Sequence, residues 1–185
     1  MKRNMKKIAS VLLVAMLALC LTACGGGKDN GGAVEIADAT EILTTVWGTY
    51  AEDEMFALVE KKLNIKLQKN PKIYLADNAF TYIQPDFYSE GNLVVGEIFA
   101  HIGKNKTGQD KKIAADILKM MLLDKVTGKV HRKIIAVCDT VEKNKLSGLS
   151  YIAESIRQFD IEVMHIEISD ELRNQLLEAQ KRQYR

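Results

Sequence analysis

The sequence predicts an α/β protein in which a mixed β-sheet is flanked by helices, behind a separate leader. Segments with helical periodicity alternate with strand-like runs through the later part of the chain, which is typical of a sheet covered by helices. Only 2 Pro and 12 Gly occur in 185 residues, which argues against collagen-like and largely disordered classes. A chain of this length suits one domain with a short appendage.

Two amphipathic helices are predicted after the leader, at residues 39–50 and 52–67, because apolar residues recur there at helical spacing. Asn70-Pro71 then interrupts the pattern. Three strand-like runs follow at residues 72–76, 80–87 and 93–102, and the turn at 89–92 joins the second run to the third.

The later elements are a helix at 108–125, a strand at 133–138, a helix at 149–159, a strand at 161–168 and a helix at 170–182. The predicted order after residue 51 is therefore α-β-β-β-α-β-α-β-α. Alternating strands and helices indicate at least one parallel pair, so the sheet is expected to be mixed.

Residues 1–23 are typical of an export signal: Met1–Lys7 is basic, and Ile8–Ala23 is an apolar run too short to span a bilayer comfortably. The run ends in Leu21-Thr22-Ala23-Cys24, which resembles the bacterial lipobox at every position. The resemblance implies a diacylglyceryl lipid on Cys24, with residues 24–38 as a flexible tether to the cell membrane. An ordinary signal peptide or a buried first helix is the alternative.

The charge is distributed unevenly along the chain. Residues 24–57 carry one Lys against seven acids, whereas residues 58–185 carry 21 basic against 17 acidic residues. A basic body favours an anionic partner. The stretch Thr40–Phe56 is similar to the start of small uncharacterised lipoproteins of Firmicute bacteria, so residues 39–57 are interpreted as a short helical lipoprotein-like segment and residues 58–185 as a separate α/β domain.

Two carboxylates are candidates for a metal site. Asp86 follows Pro85 at the end of the second predicted strand, and Glu97 lies in the third with ten residues between them. Antiparallel neighbours joined by a short turn bring such side chains within about 5 Å. Because two carboxylates repel each other unless a cation lies between them, we expect Asp86 and Glu97 to bind Mg²⁺, which prefers oxygen ligands.

Polar and basic residues are predicted to surround that pair. His101 shares a strand face with Glu97 by period-2 alternation, and Lys104 lies in the basic loop that follows. On the next helix, Gln109 and Lys112 belong to a stripe that continues through Asp116 and Lys119. The first turn of that helix also favours an anion such as phosphate. This combination fits metal-dependent phosphodiester hydrolysis.

The element order, Pro85-Asp86, the ten-residue gap and Glu97 resemble the PD-(D/E)XK nuclease superfamily, over roughly residues 52–168. The resemblance implies a restriction-endonuclease-like core, Asp86 and Glu97 as metal ligands, Gln109 as a supporting helix residue, and DNA or RNA as substrate. The resemblance also implies a homodimer, because domains of this superfamily often form pairs. The motif has a Lys two residues after the acid, where this chain has Phe99; Lys104 or Lys112 would then supply the charge, and His101 a base.

Three functional hypotheses stay open at this level. The first is a Mg²⁺-dependent nuclease-like domain, and an inactive, nucleic-acid-binding relative is its variant. The second is a membrane-anchored surface lipoprotein that serves as a non-enzymatic binding module. The third is a fusion of unrelated pieces, in which the body is cytoplasmic; a functional leader instead predicts a lipid-anchored, extracytoplasmic protein.

Overall fold

The computed structural model describes residues 39–75, 80–103 and 107–182, which belong to one compact unit. The helices are α1 (Ala39–Leu63), α2 (Thr107–Thr127), α3 (Thr140–Leu146), α4 (Tyr151–Gln158) and α5 (Asp170–Arg182). The strands are β1 (Gln68–Lys69), β2 (Ile73–Tyr74), β3 (Tyr82–Ile83), β4 (Phe87–Ser89), β5 (Val94–Phe99), β6 (Arg132–Val137) and β7 (Ile161–His165).

Five strands form a mixed sheet in the order β1-β4-β5-β6-β7. The β1–β4 and β4–β5 pairs are antiparallel, whereas β5–β6 and β6–β7 are parallel. The parallel pairs arise because α2 connects β5 to β6, and α3 with α4 connects β6 to β7, as crossover connections require. The predicted α/β class and the mixed sheet flanked by helices are confirmed.

The exact order of elements differs from the prediction at the start. One continuous helix, α1, replaces the two predicted helices and ends at Leu63 rather than residue 67. Its inner face buries Ala51, Met55 and Val59 at intervals of four residues, and it contains no Pro that would break it. The helix therefore runs without interruption across residue 57, where the charge of the sequence changes.

The second predicted strand is divided, and two short elements were not predicted. β3 pairs with β2 in a separate two-stranded sheet, whereas β4 belongs to the main sheet. Pro85 lies between them and has no N–H to donate to a ladder, which separates the two strands. The unpredicted elements are β1, with two residues, and α3, whose only buried side chains are Glu142 and Leu146.

The two faces of the main sheet carry two hydrophobic cores. Helices α1 and α5 pack on the face that includes Ile98 and Ile134, and α2 and α4 pack on the face that includes Val95 and Phe99. Side chains of β5 alternate between the two cores, as the pleat requires. Glu97 thus belongs to the face that α2 covers, although it is a charged residue between apolar neighbours.

Gly96 allows a close contact between β4 and β5. Its cross-strand partner is Phe87, a fully buried ring. A Cβ atom on Gly96 would overlap that ring and approach the carbonyl oxygen of Ile134 to 2.5 Å. The absence of a side chain therefore lets the Phe87 ring pack against β5 at the residue before Glu97. Within the described ranges, no helix has the length and apolar character needed to cross a membrane.

Candidate functional site

The site begins where β4 meets β5. Phe87 pairs with Gly96, and the same antiparallel register, continued by one pair, brings Asp86 opposite Glu97. The carboxylate of Asp86 accepts a hydrogen bond from the N–H of Ile98, at 2.7 Å. Because β4 starts only at Phe87, this carboxylate takes the place of a main-chain acceptor and holds the side chain of Asp86 against β5.

Glu97 is a buried carboxyl among other acids. The residue is 2% exposed. Burial raises its pKa to about 8, and the negative charges of Asp116 and Asp86 add to the effect. A group whose two neighbours carry the same charge is a strong candidate for a functional role, because such an arrangement is unfavourable unless a cation compensates it.

Two lysines of α2 supply positive charge to these acids. Lys119 Nζ lies 2.7 Å from Glu97 Oε1 and 2.9 Å from Asp116 Oδ1. Lys112 Nζ lies 2.8 Å from Asp116 Oδ2. The three helix residues are four and three positions apart, so they share one face of α2, and the buried Asp116 holds both ammonium groups in place.

The pKa of Lys112 shows how closely these charges lie together. Partial burial acts to lower this pKa, but the carboxylates of Asp116, Asp86 and Glu97 outweigh burial and raise it. For Lys119 the same balance holds: burial lowers the pKa, and its contacts with Glu97 and Asp116 raise it. Both lysines are therefore charged at neutral pH.

The lysine that contacts Glu97 lies on α2, and β5 carries Phe99 two residues after Glu97. Phe99 is 6% exposed and packs in the core under α2, so the strand position two after Glu97 is used for packing. Of the two lysines suggested from the sequence, Lys104 lies outside the described residues, and Lys112 contacts Asp116. Lys119 is the lysine in contact with Glu97. Helical spacing predicts that Lys119 belongs to the stripe with Gln109 and Lys112, but it does not predict the contact with Glu97.

Helix α1 contributes an acid that the sequence analysis missed. Burial raises the pKa of Glu52, and the charge of Asp86 raises it further, while Lys112 and Lys69 lower it. Glu52 follows the fully buried Ala51 on α1, which places it at the edge of the core. The acidic run at residues 52–54 was the available signal, but the predicted break in the helix before residue 52 obscured the packing of this turn.

A cavity of about 320 Å³ adjoins these groups. Its polar lining includes Glu52, His101, Gln109, Lys112 and Gln180, and its apolar wall is built from β5 and α5. Gln109 therefore lies beside Lys112 at the start of α2, as the helix spacing predicted. The cavity is at the small end of the range for ligand pockets, about 300–1,000 Å³.

His101 contacts α5 rather than Glu97. Gln180 accepts a hydrogen bond from the N–H of Ile102 and donates to the carbonyl of Ile102, which fixes the orientation of its amide. The same amide N–H group donates to His101 Nε2 at 2.9 Å, so the proton of the neutral ring is on Nδ1. Burial lowers the pKa of His101, with Asp139 opposing this effect. The polar contact of His101 is with Gln180, and the expectation that His101 lies near Glu97 stays a prediction.

Four carboxyls (Glu52, Asp86, Glu97 and Asp116) lie around the ammonium groups of Lys112 and Lys119, and carboxyl oxygens are the ligands that a hard cation prefers. Among the residues that the structure describes, no three His, Cys, Asp or Glu side chains are arranged to hold a metal ion. Mg²⁺ commonly uses one or two protein carboxylates, with water and substrate phosphates completing its coordination. A pair such as Asp86 and Glu97 meets that requirement.

The chain matches no family model, and no curated protein is significantly similar to it. Cys24 and the lipobox-like stretch lie outside the described residues, as does the loop that contains Lys104.

Proposed function

We propose that the chain carries a divergent PD-(D/E)XK-like domain that hydrolyses phosphodiester bonds of nucleic acid with Mg²⁺. The observation that carries the proposal is Asp86 beside a buried Glu97, whose carboxylate contacts Lys119 from the next helix. The arrangement of α1, the antiparallel β4–β5 pair, α2 and the parallel β6 supports a restriction-endonuclease-like core.

Asp86 and Glu97 are the residues that would hold the cation. When bound, Mg²⁺ would supply charge neutralisation and a lowered pKa for a coordinated water. Lys119 keeps the carboxylate of Glu97 oriented and compensates its charge while it is buried. The half-exposed ammonium of Lys112 faces solvent beside Asp116, where it can stabilise negative charge that develops on a phosphate. The role of His101 as a base stays a prediction. Its Nε2 atom already accepts a hydrogen bond from Gln180.

Cleavage assays of the purified full chain on plasmid DNA and on RNA test the proposal. We expect cleavage with Mg²⁺, none with EDTA, and none for Glu97→Ala or Asp86→Asn. Glu162→Gln, at a half-exposed glutamate of β7, is the matched control and should cleave as wild type does. Binding without cleavage would refute hydrolysis and indicate an inactive relative. The absence of both binding and cleavage would refute the whole proposal.

A second proposal concerns the leader. We infer from Leu21-Thr22-Ala23-Cys24 that the mature chain is a lipid-anchored, extracytoplasmic lipoprotein, and in the absence of nuclease activity it would be a binding module. Membrane fractionation of wild type and Cys24→Ser tests this: the wild type should sediment with membranes and the variant should not. Equal distribution of both would remove the anchor and favour a cytoplasmic fusion protein, which sequencing across codons 50–60 would check.

A further inference from the structure

The β2–β3 hairpin stands apart from the main sheet and has no role in the site described above. Ile73 pairs with Ile83, and Tyr74 pairs with Tyr82. Ile83 is buried in the core under α2, and Ile73 packs against that core. Since side chains alternate along a strand, the two tyrosines lie on the opposite, outer side of the hairpin.

The outer side of this hairpin is an aromatic surface. Tyr74 is 55% exposed and Tyr82 is 43% exposed, and their rings lie 5.8 Å apart in an edge-to-face arrangement. Lys72 Nζ lies 4.8 Å from the centre of the Tyr82 ring. Phe80, at 88% exposure, adds a third ring two residues before Tyr82. Among the described side chains, the only other strongly exposed aromatics are Tyr151 and Phe159.

Lys72 places a positive charge beside these rings, whereas Lys66 and Lys69, earlier in the same segment, pair with Glu60 and Asp53 of α1. Between Lys66 and Pro85 the sequence contains three lysines and a single acid, Asp77. Exposed aromatic rings with an ammonium group beside them complement single-stranded nucleic acid, because each base offers a π-face and each linkage a negative phosphate. A duplex offers far fewer free base faces, since its bases are stacked on each other.

The hairpin is also close to the proposed cation site. Tyr82 precedes Asp86 by four residues, a span of about 14 Å at most for an extended chain. That connection is anchored, because Pro85 is buried and the side-chain amide of Gln84 donates to the carbonyl of Asn70 at 3.0 Å. A base stacked on Tyr82 would therefore hold its strand within a few nucleotides of Asp86.

We propose that Tyr74, Tyr82 and Lys72 form a stacking platform for single-stranded nucleic acid, DNA or RNA, beside the Asp86–Glu97 site. The platform deepens the proposed nuclease function by naming single strands or frayed ends as the substrate class. The platform contributes to substrate binding, and binding is measured separately from cleavage.

Fluorescence anisotropy of the full chain in EDTA tests the platform, with labelled oligothymidylate, oligouridylate and a duplex as probes. Alanine at a stacked aromatic weakens binding by about 1–3 kcal/mol per base, or about 5- to 100-fold. We expect that loss for Tyr82→Ala on both single strands and less than about twofold on the duplex. The difference between the two single-stranded probes shows whether DNA or RNA is preferred.

Three further variants make the test specific. Tyr82→Phe keeps the ring and should bind as wild type does, and Tyr151→Ala, at an exposed tyrosine of α4, should do the same. Lys72→Gln should reduce the slope of log affinity against log salt by about 0.7, the value for one phosphate of a single strand. Circular dichroism checks that each variant is folded.

Equal losses on single strands and duplex, or no loss for folded Tyr82→Ala, would overturn the platform. A change in sedimentation of Tyr82→Ala with unchanged oligonucleotide binding would overturn it in favour of contacts between copies of the chain. Tyr82-dependent binding without any cleavage would refute the nuclease proposal and leave the platform standing. Cleavage together with binding that does not depend on Tyr82 would refute the platform and leave the nuclease proposal standing.

Discussion

Replacing Glu97 with Gln tests the buried carboxyl directly, because the amide has the same shape and no charge. In the folded protein the pKa of Glu97 is about 8, against the ordinary value of 4.5. Between these two pH values the folded state holds one proton more than the unfolded chain, so the free energy of unfolding falls as pH rises. The contribution is fully present below pH 4.5 and is lost as pH passes 8.

The size of the effect follows from the two pKa values. Each pH unit of difference corresponds to about 1.4 kcal/mol, so the full interval between 4.5 and about 8 amounts to about 5 kcal/mol as an upper limit. Gln cannot titrate. The stability of Glu97→Gln relative to wild type should therefore grow by several kcal/mol between pH 5 and pH 8.5.

Urea denaturation in EDTA at a series of pH values measures this difference. Glu162→Gln is the matched control, because this glutamate is half-exposed and its pair with Arg132 is at the surface; we expect a change below about 1 kcal/mol. Parallel pH curves for wild type and Glu97→Gln would refute the reasoning, because they would mean that Glu97 titrates equally in the folded and unfolded states.

Further predictions concern the packing and the charges around the same sheet. Asp124→Asn leaves the buried Lys133 without the carboxylate that it contacts at 2.9 Å, and urea denaturation should show a loss of about 3–5 kcal/mol. Gly96→Ala forces a methyl group against the Phe87 ring, so a loss of at least about 1–3 kcal/mol is expected by the same method. Because Lys119 orients a proposed cation ligand, Lys119→Gln should slow Mg²⁺-dependent cleavage about 10- to 100-fold in single-turnover assays, and Lys119→Arg by less; equal rates for both variants would contradict this.

Apart from α3, the later elements could be predicted well from the sequence, because their boundary residues are recognisable there. The helix predicted at 170–182 is observed as Asp170–Arg182, where Ser169 accepts the N–H of Leu172 as a cap. β6 differs by one residue at each end from its prediction. The early elements could not be predicted as well, since the division between β3 and β4 depends on which sheet each strand joins.

The candidate site also has a part that could be predicted from the sequence and a part that could not. Asp86 and Glu97 lie on strands joined by a short turn, so their relation follows from local pairing. Lys119 lies 22 residues beyond Glu97, and Glu52 lies on a helix far earlier in the chain. Whether such residues reach the site depends on how α1 and α2 pack on the sheet, which periodicity does not determine.

Glu97→Gln is expected to raise the free energy of unfolding above neutral pH and to abolish cleavage. These opposite effects on stability and activity separate a functional role from a structural one. If Glu97 served only to anchor Lys119, its replacement would lower stability and lower any activity through loss of folded protein. If it serves to bind a cation, the neutral variant is more stable above neutral pH and yet inactive. A buried carboxyl that costs stability where an amide would not is typical of functional sites. A Glu97→Gln protein that is both less stable at pH 8.5 and inactive would therefore favour the structural role.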